Sequence, residues 1–288
     1  MVGLRKYFEF VRFEHTVFAL PFALASMAVA ARETHGWPGW RTFLLVLAAM
    51  VCARTAAMGF NRIMDRKLDA LNPRTAERHL PTGRITVFGA WWLVIGASTG
   101  LVVVGYFINR ICFVLSPVAL AIVLFYPFTK RFTDLSHFFL GLGLSVAPVG
   151  AWLAVRGHLT QLCPPMVLAL AVVFWLVGFD IIYATQDYES DKALGLHSLP
   201  VRFGIAGSLR FAQFAHTVMA ALLLGFGLIS QMGWPYYAGW TAIVACLVHQ
   251  HRLARNQDPV SVNAAFFRMN AVISVVLLAA VVADVVLR

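Results

Sequence analysis

Apolar residues run along this chain in helix-length stretches separated by short polar connections. Nine such runs stand near residues 15–32, 42–60, 86–107, 111–126, 137–155, 164–183, 208–229, 235–249 and 270–287. Each approaches the ~20 residues that a bilayer crossing needs, the fourth and eighth being short. Spanning strands do not fit, because no ten-residue segment keeps a period of two. Pro117, Pro148 and the Gly141/Gly143 pair fall inside runs, where helices packed in a membrane tolerate them. The pattern predicts an all-α fold: an integral membrane bundle of about nine transmembrane helices, one domain over residues 1–288.

Composition agrees with the pattern. Of 288 residues, 60% are hydrophobic and 12% charged, with a mean hydropathy of +0.76. Soluble domains carry about 25% charged residues, so an ordinary soluble enzyme, a disordered chain and a fibrous one are all excluded. The net charge of +10 would suggest nucleic acid in a soluble protein. Here it suggests the positive-inside bias and anionic lipid, with no nucleic-acid partner and no obligate protein partner indicated. Cys52, Cys112, Cys163 and Cys246 show no metal or disulfide spacing and read as small hydrophobes. Arg5, Lys6 and Arg12 precede an apolar run from His15 to Ala31. That run imitates a signal peptide, but its near-spanning length predicts an uncleaved first helix.

Sorted by connection, the basic residues divide unequally. Seventeen of the 23 fall at the N-terminus and in the connections after the second, fourth, sixth and eighth helices. Arg32, Arg41, Arg110, Arg156 and Arg288 fall on the other side, and Arg54 lies within the second run. This bias predicts a cytoplasmic N-terminus in a bacterial inner membrane, with the long loops on the cytoplasmic face. The two long loops follow the second and sixth helices, and each carries paired carboxylates. That recurrence suggests two four-helix repeats plus one helix.

The first acidic segment reads N-x3-D-x3-D, at Asn61, Asp65 and Asp69. Residues four apart on a helix drift by only ~40°, so these three share a face if the second helix continues, while Arg62, Arg66 and Lys67 point elsewhere. The second segment places Asp187 and Asp191 four apart, with Asp180 earlier. One such pair reads readily as a solvated helix end. Two pairs, four helices apart and on the basic side, favour a different reading. Carboxylate pairs are hard ligands suited to Mg2+, which binds one or two of them together with substrate phosphates. Lys130 and Arg131 fit either a phosphate or carboxylate contact or simple topogenic charge. Arg54, inside the membrane run, predicts a site-wall role. Asp284 reads as interfacial, and His249 and His251 lie on different helix faces, a poor metal pair.

At these residues the chain resembles the UbiA superfamily of intramembrane prenyltransferases. The N-x3-D-x3-D motif, the continuation from Asn72-Pro73-Arg74 to Arg78 and Pro81-Thr82-Gly83, Tyr126-Pro127 with Lys130-Arg131, and Tyr183-Ala184 with Asp187 and Asp191 carry the likeness over nearly the whole length. The nearest resemblance is to 4-hydroxybenzoate polyprenyltransferases of ubiquinone and menaquinone synthesis. The stretch from Gly195 to Pro200, with His197, departs from that pattern and looks more like a branch that prenylates a naphthoate-type acid, and His79 stands where a Pro is common.

The resemblance implies Mg2+ held by Asp65, Asp69, Asp187 and Asp191, and a polyprenyl diphosphate bound with help from Arg66, Lys67 and Arg78. It implies that Asn61 steadies the metal or an allylic cation. It also implies that Lys130, Arg131 and Asp180 lie near an aromatic acid acceptor, with Tyr183 beside the second motif, and that the isoprenoid tail leaves sideways into membrane lipid. Two rivals stand beside it: a sister enzyme acting on haem or homogentisate, and a secondary transporter. A CDP-alcohol phosphotransferase is excluded, since D-x-x-D-G-x-x-A-R is absent.

Overall fold

The structure is a computed structural model that describes residues 6–7, 9–11, 16–256 and 258–287. Arg5, Arg12, His15 and Arg288, used above, lie outside the described residues. Among those described there is no strand. Nine long helices follow one another: α1 (Thr16–Ala30), α2 (Trp40–Leu71), α3 (Val87–Ile108), α4 (Arg110–Thr129), α5 (Ser136–Arg156), α6 (Cys163–Ala184), α7 (Leu199–Ile229), α8 (Trp234–Ala254) and α9 (Asn270–Val286). Seven stretches are long and apolar enough to cross a membrane: α2 to α7 and a segment ending in α9. The protein is an integral membrane protein.

Local chemistry sets the ends. Thr86 caps α3 by accepting from the Gly89 amide, and Ser198 caps α7 through Val201 N–H. Asn109 alone separates α3 from α4. Its backbone is extended, and its side chain accepts from Cys112 N–H at 2.9 Å. α5 stops at Gly157, at φ +67°, a left-handed position that glycine adopts without strain.

Three elements differ from the sequence expectation. α2 does not stop where its apolar run stops at residue 60, because nothing in the next eleven residues breaks a helix. It ends at Asn72, whose extended backbone is what Pro73 requires of its predecessor. Thirty-two residues give about 48 Å of helix against a hydrocarbon core of about 30 Å, so the last turns stand clear of it. α7 starts nine residues before the expected 208 and contains a break at Gly204, at φ +69°. α9 is preceded by a short helix, Pro259–Asn263, and a π-helical stretch, Ala264–Met269.

Packing reproduces the repeat. α2 lies on α3 and α6 on α7; α3 lies on α4 and α7 on α8; α4 lies on α5 and α8 on α9. α1 packs against both α5 and α9, which sets it inside the bundle. The main core gathers around Trp175 of α6, which is fully buried against Phe22 of α1, with ring centroids 4.6 Å apart, and Phe179 at 4.8 Å. Its indole N–H donates to Asn270 Oδ1 at 2.9 Å. Behind it, His216 of α7 meets His251 of α8, Nδ1 to Nε2, at 2.9 Å. His251 therefore turns inward to His216 rather than pairing with His249. Asp284 is fully buried, not interfacial: it accepts from the Gly233 amide at 2.5 Å and holds the turn into α8.

Candidate active site

Where the C-terminal ends of α2 and α6 approach each other, a cavity of about 220 Å³ opens between the two halves of the bundle. The overshoot of α2 carries Asn61, Asp65 and Asp69 into its wall, one turn apart. The Asn61 amide donates to Asp65 Oδ2 at 3.3 Å. Asp69 is buried and receives Arg78 Nη1 at 2.6 Å. On the opposite wall the chain leaves α6 through a 3-10 turn, Thr185–Asp187, and enters a short helix, Tyr188–Ala193. Asp187 and Asp191 thus stand on different elements rather than on one continuous helix, yet both line the same cavity.

The loop after α2 joins the walls. Asn72 donates to Asp187 Oδ1 at 3.1 Å, and Arg74 forms a two-pronged ion pair with the same carboxylate, its Nε 2.8 Å from Oδ1. Arg74 also donates to the Tyr183 hydroxyl at 2.6 Å and lies 4.8 Å above that ring. Two of the four aspartates are therefore neutralised by arginines of one loop.

Deeper in, Lys130 faces the acidic groups. Burial alone would depress its pKa, but Asp180, Asp65, Asp191 and Asp187 outweigh it and hold the ammonium above its ordinary value. Lys130 is a cation at any physiological pH. Asp180, on α6, is 2.7 Å from Nδ1 of His137, in the first turn of α5. Tyr126, Met58, Leu140 and Phe266 close the apolar part of the wall. Phe266 is stacked on Tyr183, with ring centroids 4.2 Å apart.

A clip binds the loop after α6 and the start of α7 to the loop after α4. His197 N–H donates to Lys130 O at 3.2 Å, and Asp134 takes both His197 Nδ1 at 3.2 Å and Arg202 at 2.8 Å. Desolvation pushes the Asp134 carboxyl up, but these two partners prevail and hold it below the usual carboxylate range.

The expected site residues divide. Asn61, Asp65, Asp69, Asp187, Asp191, Arg78, Lys130, Asp180 and Tyr183 come together in the cavity wall. Arg54, Arg66, Lys67 and Arg131 do not. Arg54 lies seven residues before Asn61, about 10 Å further along α2, and Lys67 is exposed on its outer side. Arg131 turns back to donate to Met64 O at 3.0 Å. Arg62, expected to point elsewhere, is buried and lines the cavity. His137, Arg74 and Asn72 line the cavity beside the residues expected from the sequence. His137 is a titratable group in the first turn of an apolar helix, which is a usable signal; the partners of Arg74 and Asn72 are 113 and 115 residues away.

Among the described residues no three carboxylate, imidazole or thiol groups converge to enclose an ion. Hard oxygen donors in pairs on two facing walls nonetheless fit Mg2+, which uses few protein ligands and completes its shell with water and phosphate.

The model of the UbiA prenyltransferase family matches residues 19–272. A 4-hydroxybenzoate octaprenyltransferase of Vibrio parahaemolyticus is 30% identical over 285 residues, 97% of each chain. The apo structure of a UbiA homolog from Aeropyrum pernix K1 superposes with a TM-score of 0.85 at 30% identity, over 94% of this chain and 98% of that one. A UbiA homolog from Archaeoglobus fulgidus, solved bound to DMAPP and Mg2+, gives a TM-score of 0.72 over 96% and 99% of the two chains; at 21% identity that likeness is one of fold.

Proposed function

The chain belongs to the UbiA prenyltransferase family, and from that premise we propose that it transfers a polyprenyl group from its diphosphate to the ring of a hydroxyaryl carboxylate. The observation that carries this reading is the meeting of two aspartate pairs, from helix ends four helices apart, in one cavity with Lys130 and an aromatic wall. The acceptor we favour is 4-hydroxybenzoate, the substrate named for the Vibrio relative, in quinone biosynthesis. A naphthoate-type acid is the second candidate, because the departing segment around His197 supplies Leu196 to the cavity wall.

Asp65, Asp69, Asp187 and Asp191 would hold Mg2+ between the two walls. Bound there, Mg2+ supplies charge neutralisation for the diphosphate as a leaving group. Arg74 and Arg78 set guanidinium groups at the same mouth, suited to two-pronged contact with phosphate oxygens. Asn61 fixes the orientation of Asp65. Tyr126 and Phe266 offer aromatic wall to an allylic cation, and Met58, Leu68 and Leu140 keep water from it. Lys130 is the fixed cation for the acceptor's carboxylate. The cavity mouth faces the cytoplasm in this reading, and the isoprenoid tail lies in lipid.

The test is product mass spectrometry on membranes given a polyprenyl diphosphate, 4-hydroxybenzoate and 1,4-dihydroxy-6-naphthoate. The expected result is a prenylated acid that depends on Mg2+ and is lost in Asp65→Asn and Asp187→Asn, with both variants still in the membrane. Retained activity in either variant would sink the assignment.

A further inference from the structure

His137 is 2% exposed and stands in the cavity wall. Its Nδ1 lies 2.7 Å from Asp180 Oδ2. An ionised carboxylate only accepts, so Nδ1 carries a proton, and in the neutral tautomer that this bond selects the lone pair sits at Nε2. That atom is buried and meets no hydrogen-bond partner. Leaving a buried acceptor unsatisfied costs about 1–3 kcal/mol, and native proteins keep such groups chiefly where they serve a purpose. A carboxylate on one ring nitrogen and an unoccupied lone pair on the other is how an imidazole is held ready to take a proton.

The other groups in the wall are less suited. Lys130 is already protonated. Asp69 and Asp187 are held by Arg78 and Arg74. Among the described residues lining the cavity, His137 is the only imidazole.

We propose that His137 is the proton acceptor of the transfer reaction and that Asp180 is its positioning residue, which fixes the tautomer and stabilises the imidazolium. The proposal rests on the prenyl-transfer reading above. As the carbon–oxygen bond to the diphosphate breaks, its electron pair leaves on oxygen. A π pair of the acceptor ring forms the new carbon–carbon bond. The ring C–H pair then restores aromaticity while its proton moves to Nε2. One diphosphate and one proton are released per turnover.

The test compares wild type with His137→Gln, whose amide N–H can still donate to Asp180 but which cannot take up a proton. Purified full-length protein is given geranyl diphosphate and 4-hydroxybenzoate, or 1,4-dihydroxy-6-naphthoate, with hydrogen or deuterium at the ring positions next to the hydroxyl. In the variant kcat should fall by about 10²–10⁴-fold, with KM for geranyl diphosphate unchanged. A primary deuterium isotope effect absent from wild type should appear, because proton removal becomes the slow step. If His137→Gln does not fold, Asp180→Asn carries the test and should show the same new isotope effect. A variant that turns over like wild type, or slows with no isotope effect, overturns the proposal and leaves the prenyl-transfer reading standing. No product from wild type with either acceptor overturns both.

Discussion

At the scale of single residues, the cavity separates neighbours that look alike in sequence. Lys130 and Arg131 are adjacent cations after α4, yet Lys130 lines the cavity under four carboxylates while Arg131 is spent on the carbonyl of Met64. Replacing Lys130 with Ala should cost about 10–100-fold in kcat/KM for the acceptor, the worth of one hydrogen bond to a charged group. Replacing Arg131 with Ala should leave it within about twofold, as for a surface substitution. Steady-state kinetics on the two variants separates the cases; equal losses would mean that the acceptor contacts both. Arg62 teaches the same lesson in the other direction. Helical spacing sets it about 100° from Asn61, yet both residues line the cavity.

At the scale of elements, the site depends on how two helices end. α2 outlasts the membrane core and presents its aspartates as a rigid ladder; α6 breaks into a 3-10 turn that resets the direction of Asp187 before Asp191 follows. What fixes α6 against α7 is a close approach at Gly178, where an added Cβ would fall 2.2 Å from the His216 ring. That ring is held by the Trp175 carbonyl and by His251, so it has little freedom to retreat. Gly178→Ala should destabilise the protein by about 1–3 kcal/mol, as overpacking of a tight core does. Thermal unfolding in detergent checks this; an unchanged midpoint would show that the α6–α7 contact yields. Opposite, the π-helical turn before α9 brings Phe266 onto Tyr183, a feature often found where a helix serves a site.

At the scale of the whole molecule, the nine long helices among the described residues put alternate connections on opposite ends, and the cavity opens at the end richer in Lys and Arg. On the positive-inside rule we propose that this mouth faces the cytoplasm. In a protein whose native cysteines are replaced, Cys163 being exposed, Lys67→Cys should react with an impermeant maleimide only from the cytoplasmic side. His158→Cys, in the connection between α5 and α6, should react only from the other. The reverse pattern would invert the orientation. The three helices α2, α3 and α4 bury few residues, whereas α6 is the most enclosed of the long helices. The side of the bundle formed by α2, α3 and α4 is thus the one with apolar surface left over for lipid.

The sequence by itself determined the helix count, the membrane, the repeat and the aspartate pairs. Each of these is a local property: an apolar run is apolar whatever it touches, and a four-residue spacing is fixed by the helix that carries it. Only the tertiary structure decided which polar groups meet. Arg74 finds Asp187 across 113 residues, and His137 finds Asp180 across 43. Arg131, one bond from Lys130, is left outside the cavity. Those outcomes depend on helix length, on the direction in which each helix ends and on the packing of α5 against α6, and none of these is written in the spacing of the residues concerned.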